Sequence, residues 1–322
     1  MQLTELSIIL PVRNVSGEIP GILHSLANQA DTINAEFIVV DMGSTDQTVL
    51  ECVQLIKELK LRGCVIQNGK STVSAALNTG IQKSSGEYVT FIFARRLYRD
   101  FIQGYLDTAQ KNNADFVFGS ISESNAKAAE HRVVSKAIKK ATGADYVKEI
   151  IKGNMHIDIS AVLIRHKFIR QKQIHFSENC SFGYSEEFVF RCLLAAETIV
   201  QSPTILMRDN ILELKRGKLE KTGNRIFQHT EAVLRIKDIV KTDYPENTEL
   251  MNWIVNEKLP LTVMRGVDIM LKEGNGYNAV RGYLRVTGYN KLLVAGKQTD
   301  KELKRRILLW HTIPWIYHPG KN

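Results

Sequence analysis

The chain alternates short apolar runs with stretches in which apolar residues recur every three or four positions. Ser7-Ile8-Ile9-Leu10-Pro11-Val12 is the first such run, closed by the polar Arg13 and Asn14 as a buried parallel strand would be. Ile19, Ile22, Leu23 and Leu26 then recur at helical spacing. Glu36-Phe37-Ile38-Val39-Val40, Cys64-Val65-Ile66, Glu87-Tyr88-Val89-Thr90-Phe91-Ile92 and Phe116-Val117-Phe118 predict four more strands. Helices are predicted between them over 45–61, 71–83 and 97–111, the first with Val49, Val53, Leu55, Ile56 and Leu59 as its apolar stripe. Strands and helices alternating at this spacing predict an α/β fold, a Rossmann-like and mostly parallel sheet with helices on both faces. Right-handed crossovers then gather the carboxyl ends of the strands on one edge, where ligands bind.

Residues 122–153 are polar and basic and predict an exposed helix or insertion outside the core. Regularity returns with a strand over 159–164, a helix over 185–196 and a strand over 198–200. Beyond Lys215 the pattern is helical only, over 225–240, 250–271, 279–287 and 301–309. The chain therefore divides into an α/β domain over 1–215 and a helical region over 216–322.

Charge narrows the partners. A net charge of +9 favours anions: nucleotides, phospholipid head groups or nucleic acid. The basic run through Lys127, Lys136, Lys139, Lys140, Lys148 and Lys152 lacks a series of interleaved aromatics, so stacking platforms for nucleic acid are missing and no nucleic-acid partner is expected. Cys52, Cys64, Cys180 and Cys192 form no CxxC pair, which points to a reducing compartment. The eight histidines include no HxH or HxxxH pair, and no GxxxxGK[ST] occurs, so neither a zinc site nor a P-loop hydrolase is supported. The first residues lack a basic leader segment, and no apolar stretch approaches the ~20 residues needed to span a bilayer. A cytoplasmic location is expected.

Candidate chemistry sits at the strand ends. Asp41 closes the second strand in Val39-Val40-Asp41-Met42-Gly43-Ser44-Thr45-Asp46, where Gly43 permits a tight turn and a carboxylate suits base or ribose hydrogens. Asp46 more simply caps the next helix. Pro11, Val12, Arg13 and Asn14 leave the sheet edge beside it. Together with Ala76-Leu77-Asn78-Thr79-Gly80-Ile81 and Ser85-Gly86-Glu87-Tyr88-Val89, these segments resemble the family 2 glycosyltransferases over roughly the first 120 residues, with a weaker echo to about Lys215.

The resemblance implies a GT-A fold and a nucleotide-sugar donor, with Asp41 near the base and Pro11, Val12, Arg13, Asn14 and Asn78 in the donor pocket. It implies an acidic catalytic motif, fitted by Glu186 and Glu187, with Glu187 in the place of the base that takes the acceptor hydroxyl proton and inverts the sugar. It also implies an Asp-x-Asp motif after the fourth strand that holds Mg²⁺ or Mn²⁺. The chain departs here: it has Phe93-Ala94-Arg95-Arg96, with no carboxylate until Asp100, and Leu77 where the family often has Arg. Hard cations need oxygen ligands, so no metal cofactor is expected, and Arg95 and Arg96 are candidates to pair with the diphosphate instead. Lys215 and Arg216 lie where relatives carry a basic loop over the diphosphate. The competing reading is an inactive relative that binds a nucleotide-sugar or scaffolds an active enzyme.

The tail adds a surface. Lys301, Lys304, Arg305 and Arg306 precede a segment holding Trp310, Trp315, Ile316 and Tyr317, a pattern suited either to a membrane interface or to a docked terminal helix. Inner-face attachment would suit a glycan or lipid-linked acceptor in the synthesis of a cell-surface polysaccharide.

Overall fold

The computed structural model describes residues 3–93, 96–99, 101–123, 141–210 and 222–319. The strands are β1 (Leu6–Val12), β2 (Ala35–Asp41), β3 (Gly63–Gln67), β4 (Tyr88–Phe91) and β5 (Arg96–Arg99), then β6 (Phe116–Phe118), β7 (Ile121–Glu123), β8 (Val162–Arg165), β9 (Ile199–Gln201) and β10 (Leu206–Asn210). The helices of the first half are α1 (Ile19–Gln29), α2 (Thr48–Glu58), α3 (Val73–Lys83), α4 (Ile102–Asn112), α5 (Gly143–Ile151) and α6 (His166–Gln171). Then follow α7 (Tyr184–Ala195), α8 (Gln228–Asp243), α9 (Thr248–Trp253), α10 (Leu259–Lys272), α11 (Tyr277–Thr287) and α12 (Lys301–Thr312).

Two compact units emerge. The first comprises Met1–Gly143, Asn154–Asn179 and Phe188–Lys215; the second comprises Ala144–Gly153, Cys180–Glu187 and Arg216–Asn322. Two short segments from within the first 215 residues thus belong with the C-terminal helices.

The first unit is built on a seven-stranded sheet in the order β3-β2-β1-β4-β8-β6-β9. Only β8 runs against its neighbours; the rest are parallel where paired. The register aligns Val12 with Asp41 and Asp41 with Gln67, so three strands end level on one edge. β1 is buried along its whole length, as a central parallel strand should be. α3 lies so close to it that a Cβ on Gly80 would sit 2.3 Å from Ile9 Cγ2, which is why glycine stands there. A second sheet, β5-β10-β7, was not legible in the chain. Its strands are three to five residues long and carry Arg, Ser, Glu, Asp and Asn, so no apolar run marks them.

Several elements differ from the sequence reading. The helix predicted over 97–111 begins at Ile102, because β5 takes the preceding residues. Residues 159–161 form a 3₁₀ turn, with the strand starting only at Val162. On α2 the buried positions are Thr48, Cys52 and Leu55, while Val53 is exposed. Within the stretch read as lying outside the core, α5 buries Ala144, Tyr146, Val147 and Ile151; residues 124–140 lie outside the described residues.

The second unit packs α8, α10, α11 and α12 around Phe227, Val263, Val267, Leu284, Ile307 and Trp310. Where one long helix was predicted over 250–271, a π-helical turn at Ile254–Lys258 separates α9 from α10. Pro260 explains part of it: lacking an N–H, it cannot bond the carbonyl four residues back, and the Thr299 hydroxyl donates to that Asn256 carbonyl instead. α12 has two faces. Leu303, Ile307 and Trp310 are buried, as is Tyr317 just beyond, whose hydroxyl bonds Asp268 at 2.5 Å. Leu308 (62%), Trp315 (66%) and Ile316 (53%) stay exposed, as do Lys301 and Arg305. Among the described residues no helix is long and apolar enough to cross a membrane.

Candidate active site

The level strand ends of the first unit form an interlocked set of loops. Asp41 is only 4% exposed, and its carboxylate accepts the backbone N–H groups of Gly43 (3.1 Å) and Ser44 (3.1 Å). Gly43 takes a φ of +78°, and a Cβ there would press within 3.1 Å of the Gly69–Lys70 backbone, so only glycine closes this turn without strain. Asn14, itself in the left-handed region at φ 49°, ties the loop after β1 to the loop after β2. Its N–H donates to Ser44 Oγ (3.0 Å) and its Oδ1 accepts from the Thr45 N–H (2.8 Å). The Val15 N–H donates to Thr48 Oγ1 (2.8 Å) and the Ser16 N–H to Asp46 Oδ2 (3.2 Å). Asp46 also accepts the Thr48 N–H at 3.1 Å, the capping role expected from its position. Pro11 and Val12 are buried in β1, and Arg13 is exposed at the rim.

Asn78 is turned to a structural task. Its amide donates to the Phe176 carbonyl and accepts the Phe176 N–H, both at 2.9 Å. The Phe176 ring so fixed stacks on Phe188 with centroids 3.8 Å apart, and Phe91 at the end of β4 meets both rings edge-on at 5.4 and 5.7 Å. Leu77, beside Asn78, is fully buried.

Past β4, Arg95 lies outside the described residues, as do Asp100, Lys215 and Arg216; Arg96 opens β5 and only its backbone is described. Among the described residues no three His, Cys, Asp or Glu side chains converge as metal ligands. The donor set at this strand end, Phe93-Ala94-Arg95-Arg96, does not fit a hard divalent cation.

Glu186 and Glu187 occupy the first turn of α7, where the helix dipole favours carboxylates. They belong to the second unit, and cations from its helices meet each of them. Glu187 is 2% exposed; Arg235 Nε donates to one oxygen at 2.8 Å and Nη2 to the other at 2.7 Å. Glu186 pairs with the ammonium of Lys258, the last residue of the π turn, and its second oxygen meets His229 Nε2 at 2.6 Å. Such turns recur at functional sites. His229 also lines a cavity of about 440 Å³ together with Ile226, Thr262, Arg265 and Ile269.

Burial alone would raise the Glu186 pKa, but the Lys258 charge and the His229 hydrogen bond outweigh it and hold the group far below its ordinary 4.5. The folded state therefore resists protonation where the unfolded chain accepts it. This contribution to stability is complete above the unfolded value of 4.5 and is lost as pH falls below it. All three tryptophans, Trp253, Trp310 and Trp315, lie in the second unit, so their fluorescence reports on that unit alone. Urea midpoints read by tryptophan emission should fall from pH 6 to pH 3 in the native chain and fall less in Glu186→Gln.

His229, Arg235 and Lys258 were not identified from sequence. Each stands 40 to 75 positions from its carboxylate, as the separations of 43, 48 and 72 residues show, and no local motif signals such a pairing.

The sequence profile of glycosyl transferase family 2 matches residues 7–174. The chain is 23% identical to glycosyltransferase GlyG of Streptococcus pneumoniae over 302 residues, covering 89% of this chain and 90% of GlyG. It is 31% identical to glycosyltransferase GlyA of the same organism over 121 residues, covering 35% of this chain but 17% of GlyA. Among solved structures, residues 1–349 of S. aureus TarS superpose with a TM-score of 0.71 at 16% identity, covering 96% of this chain and 87% of that one. The same fragment bound to UDP-GlcNAc gives a TM-score of 0.68 at 15% identity, over 96% and 87% of the two chains. The chain spans 43% of the longer TarS structure. The fold is the mixed, mostly parallel GT-A architecture seen in TarS. By the match over more than half its length, this chain belongs to glycosyl transferase family 2.

Proposed function

We propose that this chain transfers a sugar from a UDP-sugar to a glycan or lipid-linked acceptor, with inversion and without a metal ion, in the synthesis of a cell-surface polysaccharide. The carrying observation is the interlocked strand-end loop set around the buried Asp41, on the edge where open parallel sheets take nucleotides. TarS in complex with UDP-GlcNAc supports the choice of nucleotide. Pro11, Val12, Arg13, Asn14 and Asp41 line the uridine end. Arg95, Arg96, Lys215 and Arg216 supply the positive charge that elsewhere comes from a cation, pairing with the diphosphate as it leaves. Glu187, with Glu186 beside it in the first turn of α7, is the proton acceptor of this reading.

The test is hydrolysis of UDP-GlcNAc and other UDP-sugars. Turnover should be unchanged by EDTA. Arg95→Ala with Arg96→Ala should weaken UDP binding ~10–100-fold for each charge-assisted hydrogen bond removed, while leaving uridine binding alone. UDP binding with no turnover of any donor would favour the scaffold reading, which the absence of fitting carboxylates after β4 and the sealed Glu187 both motivate.

The exposed face of α12 and the residues beyond it supports a peripheral place on an anionic membrane. Leu308, Trp315 and Ile316 offer apolar anchors, and Lys301 and Arg305 are exposed cations. Co-sedimentation with phosphatidylcholine vesicles containing phosphatidylglycerol should be salt-sensitive. Trp315→Ser with Ile316→Ser should lower it ~10-fold or more, given about 1.5–3 kcal/mol per buried large side chain. Equal binding by the double variant would remove this surface from the reading.

A further inference from the structure

The edge of the main sheet opposite Asp41 carries a second concentration of charge. There β4 begins and β8, which runs the other way, ends, with Tyr88 paired to Arg165. Leu6 at the start of β1 is level with Tyr88, and Val12 at its end is level with Asp41. The length of β1, about 20 Å at ~3.3 Å per residue, therefore separates this edge from the strand-end loops. A cavity of about 590 Å³ opens here, lined by Glu87, Arg165, His166, Lys167, Arg170 and Gln171. All of these residues belong to the first unit.

The charges at this cavity do not cancel. Arg165 Nη1 donates to Glu87 at 3.2 Å and Nη2 to Asn113 Oδ1 at 2.7 Å, while its guanidinium lies 5.2 Å from the centre of the Tyr88 ring. Glu87, the carboxylate lining the cavity, is thereby engaged, and Asp115 stands 3.7 Å from Arg165 Nε. His166 is buried, with its ring hydrogen-bonded to the backbone of Ile81 and Gly86. Burial pushes its pKa below the ordinary 6.5, so it adds no charge at neutral pH. Lys167 and Arg170 differ. Both are exposed on α6, a helix without an acidic residue, and three positions apart they share a face. Among the described residues neither side chain has an ion-pair or hydrogen-bond partner.

Two cations on one face beside a cavity repel each other, and an anion that meets both removes the repulsion. A phosphate group has enough oxygens to reach Lys167 and Arg170 together, and the guanidinium fork matches two of them. Arg165 keeps N–H groups beyond those given to Glu87 and Asn113. The cavity is larger than one phosphate and falls within the ~300–1,000 Å³ of small-molecule sites, so it has room for an organic group attached to the phosphate. Membrane-binding surfaces set exposed apolar side chains among their cations. On α6 the apolar residues Phe168 and Ile169 are buried, which favours a soluble compound over a lipid head group. We propose that this cavity is a second anion site, taking the phosphate group of a soluble phosphorylated compound on Lys167 and Arg170. The site does not depend on the transferase reading, since it shares no residue with the donor loops.

The experiment compares the native chain with the double variant Lys167→Ala and Arg170→Ala, both at exposed positions. Glycerol 3-phosphate is the probe, with calorimetry for affinity and hydrogen exchange read by mass spectrometry for location. Glycerol serves as the uncharged control, and sodium chloride of matched ionic strength as the control for general screening. The expected result is slower exchange in peptides covering β8 and α6 with glycerol 3-phosphate alone. Affinity should be lower by ~10–100-fold in the double variant, the effect of a lost charge-assisted hydrogen bond. No added protection in β8 and α6, the same protection from chloride, or equal affinity in the two chains would overturn the site. Vesicles of phosphatidylcholine with phosphatidylglycerol distinguish the source of the phosphate. Vesicle binding lost in the double variant, with no response of the native chain to glycerol 3-phosphate, would overturn the soluble ligand in favour of a head group. Should the double variant fold poorly, Lys167→Gln alone is expected to lower affinity ~10-fold, and equal affinity there overturns the site.

Discussion

Replacing Arg235 with alanine should destabilise the second unit by about 3 kcal/mol or somewhat more, the low end of the ~3–5 kcal/mol seen when a buried pair loses one partner. Glu187 is the reason. Its side chain is 1% exposed, and the guanidinium donates to each of its oxygens. Without Arg235 the buried carboxylate loses the two charge-assisted hydrogen bonds to its oxygens and the cation that balances it. Arg235 itself is 36% exposed, so water softens the loss and places the figure toward the bottom of the range. Tryptophan emission during urea unfolding isolates the effect, since the three tryptophans belong to this unit. The double variant Arg235→Leu with Glu187→Met should recover most of the stability, because removing both charges removes the desolvation cost as well. A single-variant shift under about 1 kcal/mol would mean that Glu187 is not sealed as described.

Replacing Phe188 with alanine should cost the first unit about 3–5 kcal/mol. The ring is fully buried, stacked on Phe176 and met edge-on by Phe91, so its removal opens a cavity and deletes both aromatic pairings. Phe176 is bound through its backbone to Asn78, and the rigid surroundings leave the hole little room to collapse. Because this unit has no tryptophan, hydrogen exchange read by mass spectrometry is the suitable probe. Peptides covering β4 and α3 should lose protection while those of α10 and α12 keep theirs. Phe188→Leu, which refills most of the volume, should fall within about 1.5 kcal/mol of the native chain. Uniform loss of protection across both units would show that they unfold as one, contrary to expectation.

The two predictions concern neighbours in sequence whose side chains are stabilised in different ways. Glu187 is a charge neutralised by a residue 48 positions away, and Phe188 is an apolar ring packed on rings from β4 and from the segment after α6. The motif Ser185-Glu186-Glu187-Phe188 marked the place without revealing either environment. Asn78 teaches the same point. It lies within a family-like segment and was expected at the donor, yet both ends of its amide are bound to the Phe176 backbone. An amide side chain reads identically in sequence whether its partner is a ligand or a peptide group.

What the sequence by itself determined was the part governed by local periodicity and strand-end chemistry. The runs in β1, β2, β4 and β6 were legible because strands buried on both faces must be continuously apolar, whereas β3 at the sheet edge, with no buried residue, showed only through the short run Cys64-Val65-Ile66. The positions of Asp41, Gly43 and Asp46 followed from the turn that must join β2 to α2. The missing carboxylates after β4 were equally plain. Tertiary structure alone decided the rest. The three-stranded sheet β5-β10-β7 is held by pairings between residues far apart in the chain, such as Met207 with Arg99 and Leu206 with Ile121, in strands too short and polar to announce themselves. The π turn before Pro260 needed the Thr299 hydroxyl to satisfy the carbonyl that proline leaves open. The faces of α12 could be assigned only once Ile307, Trp310 and Tyr317 had found their core, leaving Trp315 and Ile316 outside. The identity of each carboxylate's partner was beyond local reading for the same physical reason. Charge pairing depends on distance in space, and the chain brings Lys258, His229 and Arg235 to Glu186 and Glu187 only by folding.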